Sequence, residues 1–181
     1  MTTEEFWALV DRARSQADDG DAESVAEELV SLLVALPQEE IRHAERILDA
    51  LVDRVNTVDL WAAAYAINGG CSDDGFVDFR GWLVAQGRAA FERVAADPDA
   101  LADLPVVRSA VENGEDLSGE SMVYAAWEAW EQVTGEDCPP EPEDDGEPAV
   151  ELVFDDDFDD TEAVAARLPR LMALVTAAQD G

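Results

Sequence analysis

The side chains best suited to chemistry fall in one stretch, Gly69-Gly70-Cys71-Ser72-Asp73-Asp74-Gly75-Phe76-Val77-Asp78-Phe79-Arg80-Gly81-Trp82-Leu83. A thiol, a hydroxyl, three carboxylates and a guanidinium stand between Cys71 and Arg80. Asp74 and Asp78 are four residues apart and so share a helix face, where they could ligate Mg²⁺ or act as an acid/base pair. Cys71 could act as a nucleophile if the helix dipole lowered its pKa, but Asp73 and Asp74 oppose a second negative charge. The single histidine, His43, belongs to a different helix, so a Cys71–His43 dyad depends on the fold. Ser72 reads as a helix cap, since no strand-turn-helix context surrounds it. The structural alternative for the whole block is that Ser72 or Asp73 caps a helix, an aspartate pairs with Arg80, Gly75 permits close packing, and Cys71 is an inert packed thiol. A site built from Asp73, Asp74, Asp78 and Arg80 requires these side chains to converge on a cavity.

Other metal patterns fail on spacing. Glu40-x-x-His43 has the register of a di-iron ligand pair, but such centres need two of these motifs and the chain has one histidine. Asp155-x-Asp157-x-Asp159 resembles the opening of a calcium loop, yet Asp160 stands where glycine is needed and Ala166 where glutamate is needed. No cofactor is predicted. Only Asp74 and Asp78 remain as metal candidates, and both are weak.

The charge narrows the partners. The 181 residues carry 43 acids against 11 bases, all arginine, for a net charge of −32. Nucleic-acid affinity rests on basic side chains displacing counterions from phosphates, so direct nucleic-acid binding is excluded as the main activity. An anionic membrane surface is disfavoured on the same ground. The first residues, Met1-Thr2-Thr3-Glu4-Glu5, lack a basic and apolar leader, and no later apolar run approaches the length of a membrane span. A cytoplasmic protein with reduced Cys71 and Cys138 is expected. With 48% apolar residues, most of the chain should fold.

The elements that must position the block read as helices. Thr2 with Glu5 forms a capping box for a helix to Asp18 that buries Phe6, Leu9, Val10, Ala13 and Ala17. Asp21 caps a second, Ala22 to Leu36, and Pro37 opens a third that continues through Val55. The apolar run Leu60 to Ile67 predicts a buried helix closed by Gly69-Gly70, and the aspartate block starts the next, with Gly81 and Gly87 inside it. Asp97-Pro98 starts a short helix, Val106 to Ser118 has no clear period, and Glu120 to Val133 is helical again. Trp61, Trp82, Trp127 and Trp130 read as core, whereas Trp7 faces partly outward. Residues 136–162 hold 14 acids, no base and four prolines, the composition of a solvated linker in which Ala149 to Phe154 could dock. Thr161 caps a final helix, kinked or restarted at Pro169, that packs back. The expected fold is an all-α antiparallel bundle: a helical domain over 1–135, an acidic proline-rich linker over 136–162, and a C-terminal helix over 163–181 belonging to the same domain.

The block GGCSDDGF-x-DFRGWL, preceded by Trp61-Ala62-Ala63-Ala64-Tyr65, resembles the bacterial domain-of-unknown-function family 4240. The resemblance extends to Phe6-Trp7-x-Leu9, to Asp97-Pro98-Asp99-x-Leu101-Ala102, to Phe158-Asp159-Asp160 and to Arg167-Leu168-Pro169-Arg170-Leu171. It implies that Phe158 onward is not an unrelated tail, and it carries no activity, cofactor or catalytic residue across.

The functional reading is a non-catalytic interaction protein whose acidic surface engages a basic protein partner. Two alternatives stand beside it: an enzyme or small-ligand or metal-binding protein with its site at Cys71 to Arg80, and a nucleic-acid mimic whose carboxylates replace phosphates in a basic groove.

Overall fold

Each helix begins and ends where local chemistry permits. In the computed structural model, which describes residues 1–18, 21–138 and 158–179, α1 spans Thr3–Gln16. The Glu5 N–H donates to the Thr2 hydroxyl, and the Thr2 N–H donates to the Glu5 carboxylate at 2.7 Å, closing the capping box. Asp21 caps α2, Ala22–Val34, by accepting from the Ser24 N–H at 2.8 Å. α3, Gln38–Arg54, follows directly from Pro37, which takes the cap position. α4, Val58–Asn68, ends at Gly69 with φ +67°, the left-handed conformation that glycine adopts at little cost.

The aspartate block opens α5, Asp73–Ala85, and Gly87 at φ +83° breaks it before α6, Arg88–Ala96. A 3-10 helix, Pro98–Asp103, leads into α7, Pro105–Asn113. That element, invisible to apolar periodicity, is set by proline at its start and by Gly114 at φ +66° beyond its end. The helix expected from Glu120 is divided at Tyr124 into α8, Glu120–Val123, and α9, Ala125–Thr134. At the C-terminus, α10 spans Thr161–Arg167 and α11 spans Pro169–Gln179, restarting at Pro169 as expected. The cap of α10 is Asp160, whose carboxylate accepts from the Glu162 and Ala163 N–H groups, not Thr161. Among the described residues the regular structure is all helix, with no strand.

α2 lies between α1 and α9, and α3 packs on the other side of α9, so the first three helices and the last helix before Cys138 share a core. α8 seats on α5. The approach there is so close that side chains are excluded: a Cβ on Gly81 would stand 2.5 Å from the Gly119 carbonyl oxygen and 2.6 Å from Val123 Cγ2. One on Gly119 would stand 2.7 Å from Trp82 Cα. The Gly119 N–H donates to the Asp78 carbonyl at 3.0 Å, and Asn68 exchanges two hydrogen bonds with the Leu117 backbone at 3.0 and 3.1 Å.

The C-terminal pair packs on the 3-10 helix, α4 and α7. Buried Asp99 accepts from the Arg170 N–H at 3.0 Å, the Leu171 N–H at 2.9 Å and Arg170 Nε at 2.9 Å. A carboxylate 71 residues away in sequence thus caps α11. Arg170 also reaches Asp97 at 2.6 Å and Asp103 at 2.8 Å, and Arg167 meets Asp59 at 2.7 Å. Phe158 lies against Tyr65 and Trp61, with ring centroids 5.6 and 6.3 Å apart, and the Tyr65 hydroxyl donates to Asp159 at 2.7 Å. Residues 139–157, including Ala149 to Phe154, lie outside the described residues. Among the described residues no helix is long and apolar enough to cross a membrane.

Gly81→Ala and Gly119→Ala should each lower stability by about 2 kcal/mol or more, because a methyl group there meets backbone. Gly75→Ala, whose Cβ would stand an ordinary 3.4 Å from Ser72 Oγ, should change it by less than about 1 kcal/mol. Urea midpoints of the three variants measure this. Burial on its own would raise the Asp99 pKa, but the hydrogen bonds from Leu171 and Arg170 together outweigh it and hold the carboxyl below its ordinary value. A depressed folded-state pKa stabilises above the unfolded value and loses that effect as pH falls through the folded one. Asp99→Ala should therefore cost about 2 kcal/mol at pH 7, with the deficit against wild type narrowing below about pH 4.

Candidate functional site

The loop that delivers the aspartate block is held from both ends. Gly69 and Gly70, at φ +67° and +140°, turn the chain out of α4, and the Trp61 indole N–H donates to the Cys71 carbonyl at 3.0 Å. The Gly75 N–H then donates to Ser72 Oγ at 3.2 Å, so Ser72 is the cap of α5. Asp73 and Asp74 occupy the exposed first turn, where negative charge favours the helix dipole.

α5 then separates the predicted residues. Asp78 lies one turn beyond Asp74 and is half-buried, with Glu120 of α8 nearby. Burial first, then the Glu120 and Asp74 charges, push the Asp78 carboxyl above its ordinary pKa. Arg80, two residues on, projects from nearly the opposite side of the helix. It is buried at 7% exposure, its Nε donating to the Phe76 carbonyl at 3.3 Å and its Nη1 to the Val52 carbonyl at 3.2 Å in the last turn of α3. The guanidinium also lies 4.8 Å above the Phe76 ring. Arg80 therefore ties α5 to the carbonyl end of α3 and is not joined to Asp73, Asp74 or Asp78. Burial lowers its pKa, and the Asp53 charge opposes that shift.

The remaining candidates fall elsewhere. Cys71 is half-buried, with its thiol 3.7 Å from the Ser72 carbonyl, and burial together with the Asp78 charge pushes its pKa up to about 11. At neutral pH that thiol is protonated, which removes its nucleophilic form. His43 is engaged by the Met1 amino group at 3.0 Å and by Glu40 at 3.7 Å. Gly75 has ordinary space around it, so close packing does not require glycine there. Asp155 and Asp157 of the calcium-loop pattern lie outside the described residues, while Asp159 and Asp160 have the contacts given above. Among the described residues no group of three His, Cys, Asp or Glu side chains is placed to hold a metal ion.

Two cavities are lined by other residues. One, of about 360 Å³, lies between Tyr65 of α4, Phe158 and the C-terminal helices. Another, of about 250 Å³, is formed by Glu45 and Asp49 of α3 with Val123, Tyr124 and Trp127. The second depends on a tryptophan expected in the core. Trp127 is 38% exposed, whereas Trp7, expected to face partly outward, is 2% exposed beneath Phe91 of α6 at 5.2 Å. Small Ala125, Ala126 and Ala129 fill the buried seam of α9, which leaves Trp127 on its flank. Trp82 is buried, and Trp61 and Trp130 are half-buried.

Among the described residues, an all-α fold with an acidic block at the head of α5 defines a helical protein. The chain belongs to the DUF4240 family, described as a protein of unknown function, whose model matches residues 1–132. The elements Phe158-Asp159-Asp160 and Arg167 to Leu171 lie beyond the matched residues. No match emerged among curated proteins or among solved structures.

In a Cys138→Ser background, thiolate absorbance should place the Cys71 pKa near 11, and alkylation at pH 7 should be slow. Asp78→Asn, by removing a charge that raises it, should shift that titration to lower pH. A Cys71 pKa unmoved by Asp78→Asn would show that the two groups do not interact.

Proposed function

We propose that this chain is a non-catalytic cytoplasmic interaction protein whose acidic surface engages a basic protein partner. The observation that carries the reading is how the arginines are used. Arg54, Arg88, Arg93, Arg108, Arg167 and Arg170 each pair with a carboxylate of the same chain. Arg14 and Arg80 donate to backbone carbonyls of neighbouring helices. These bases are thus already engaged within the chain, and with 43 acids against 11 bases the uncompensated charge is negative. Such a surface accelerates encounter with a cationic partner and repels phosphate backbones and anionic membranes. The separation of Arg80 from the aspartates, and the protonated state of Cys71, leave the enzyme reading without an observation that favours it.

Co-purification from the native host tests this. Basic proteins should be retained at low salt and released near 1 M, where the screening length falls to about 3 Å. Partners that are not basic, or retention unchanged at high salt, would overturn the proposal.

A further inference from the structure

We infer that Asn113 is a modification site, converted by water alone to aspartate and isoaspartate, and that the fold protects the same dipeptide at Asn68. Asn-Gly occurs at Asn68-Gly69 and at Asn113-Gly114. In such a pair the glycine nitrogen can reach the asparagine side-chain carbonyl, because no Cβ on the second residue stands in the way. Hydroxide takes the glycine N–H proton, and the nitrogen forms a bond to Cγ. The Cγ–Nδ2 bond then breaks, and ammonia leaves with a proton from water, which regenerates the hydroxide. Water opens the resulting cyclic imide at either carbonyl, giving aspartate or isoaspartate, and no electron is transferred to or from the chain.

The two sites share their backbone. Asn68 is the last residue of α4 and Asn113 the last of α7, and the glycines that follow are left-handed at φ +67° and +66°. The Gly69 N–H donates to the Tyr65 carbonyl and the Gly114 N–H to the Ala110 carbonyl. The next N–H returns to the same acceptor, Gly70 to Tyr65 at 3.0 Å and Glu115 to Ala110 at 2.9 Å. A Cβ at either glycine would meet nothing within 4 Å. Backbone geometry therefore does not separate them.

The side chains do. Asn68 is half-buried, its Nδ2 donating to the Leu117 carbonyl at 3.1 Å and its Oδ1 accepting from the Leu117 N–H at 3.0 Å. Turning that amide toward Gly69 breaks both bonds and takes from buried Leu117 the partner that Asn68 provides. Asn113 is exposed, and its Nδ2 donates at 3.3 Å to Ser109 Oγ, an exposed hydroxyl that water replaces at little cost. Glu112, Glu115 and Asp116 stand beside Asn113 in the chain and disfavour a nitrogen anion, but all three are exposed and solvent screens them. Conversion places a new carboxylate at the negative end of the α7 dipole, and isoaspartate also adds a methylene to the main chain where it leaves for Leu117 and Gly119. Both changes weaken the last turn of α7. The inference stands apart from the acidic-surface reading, since it needs no partner.

The test is incubation of the full chain at mildly alkaline pH, folded and in unfolding urea. Peptide mass spectrometry follows replacement of the side-chain amide by a carboxyl at each asparagine, and an isoaspartyl methyltransferase assay counts isoaspartate. In the folded chain Asn113 should convert about 30-fold faster than Asn68, the factor that two hydrogen bonds supply. In urea the two rates should become similar, because the bonds to Leu117 are gone. Asn113→Gln should remove the isoaspartate signal of the folded chain. Three results would overturn the inference: Asn68 converting as fast as Asn113 in the folded chain, a rate ratio unchanged by urea, or Asn113 still intact in the folded chain after the unfolded chain has converted at both sites.

Discussion

The backbone of α5 and the chain at Gly119 touch, and the arrangement around the aspartate block depends on that approach. Any Cβ at Gly81 or Gly119 would fall within 3 Å of heavy atoms of the opposite segment. Close contact lets the Gly119 N–H reach the Asp78 carbonyl, and Asn68 at the end of α4 secures Leu117, two residues earlier. These bonds hold α8 on α5, and α9 follows α8 into the space between α2 and α3. The same approach brings Glu120 toward Asp78, whose carboxyl is pushed up first by burial and then by the Glu120 and Asp74 charges.

Electrostatics organise the molecule at a second level. With so few bases, Arg170 and Arg80 each do several tasks with one guanidinium. Arg170 joins three aspartates of the 97–103 region and brings the head of α11 onto Asp99, so a helix that has no side-chain cap of its own in sequence obtains one from the 3-10 helix. Arg80 satisfies the Val52 carbonyl in the last turn of α3 from inside the core. Among the described residues Arg80 is directed to the Phe76 and Val52 carbonyls and not to the aspartates of the block, which is the reverse of the pairing that their proximity in sequence suggests.

The helices were legible because capping is local. Thr2, Asp21 and Ser72 cap the helices that their spacing predicts, and Gly69 closes α4, since each of these bonds spans three or four residues. The candidate site was legible as a composition but not as a geometry. That Asp74 and Asp78 share a face follows from helix periodicity, whereas the destination of Arg80 depends on where α3 ends in space. Trp7 and Trp127 exchange their expected roles for the same reason: Phe91 arrives over Trp7 from another helix, and the alanine seam of α9 lets α2 and α3 approach while displacing Trp127 to the edge. The division at Tyr124 likewise has no breaker residue to announce it.

Sequence by itself determined the all-α class, most helix boundaries and the net charge, because propensity and capping act over short range and charge is a sum over the whole chain. Tertiary structure alone decided which charges meet. It placed Arg80 on α3, Asp99 at the head of α11, and Tyr124 and Trp127 beside Glu45 and Asp49. Those pairings join residues far apart in the chain, and their energies depend on burial and distance, which exist only once the helices have packed.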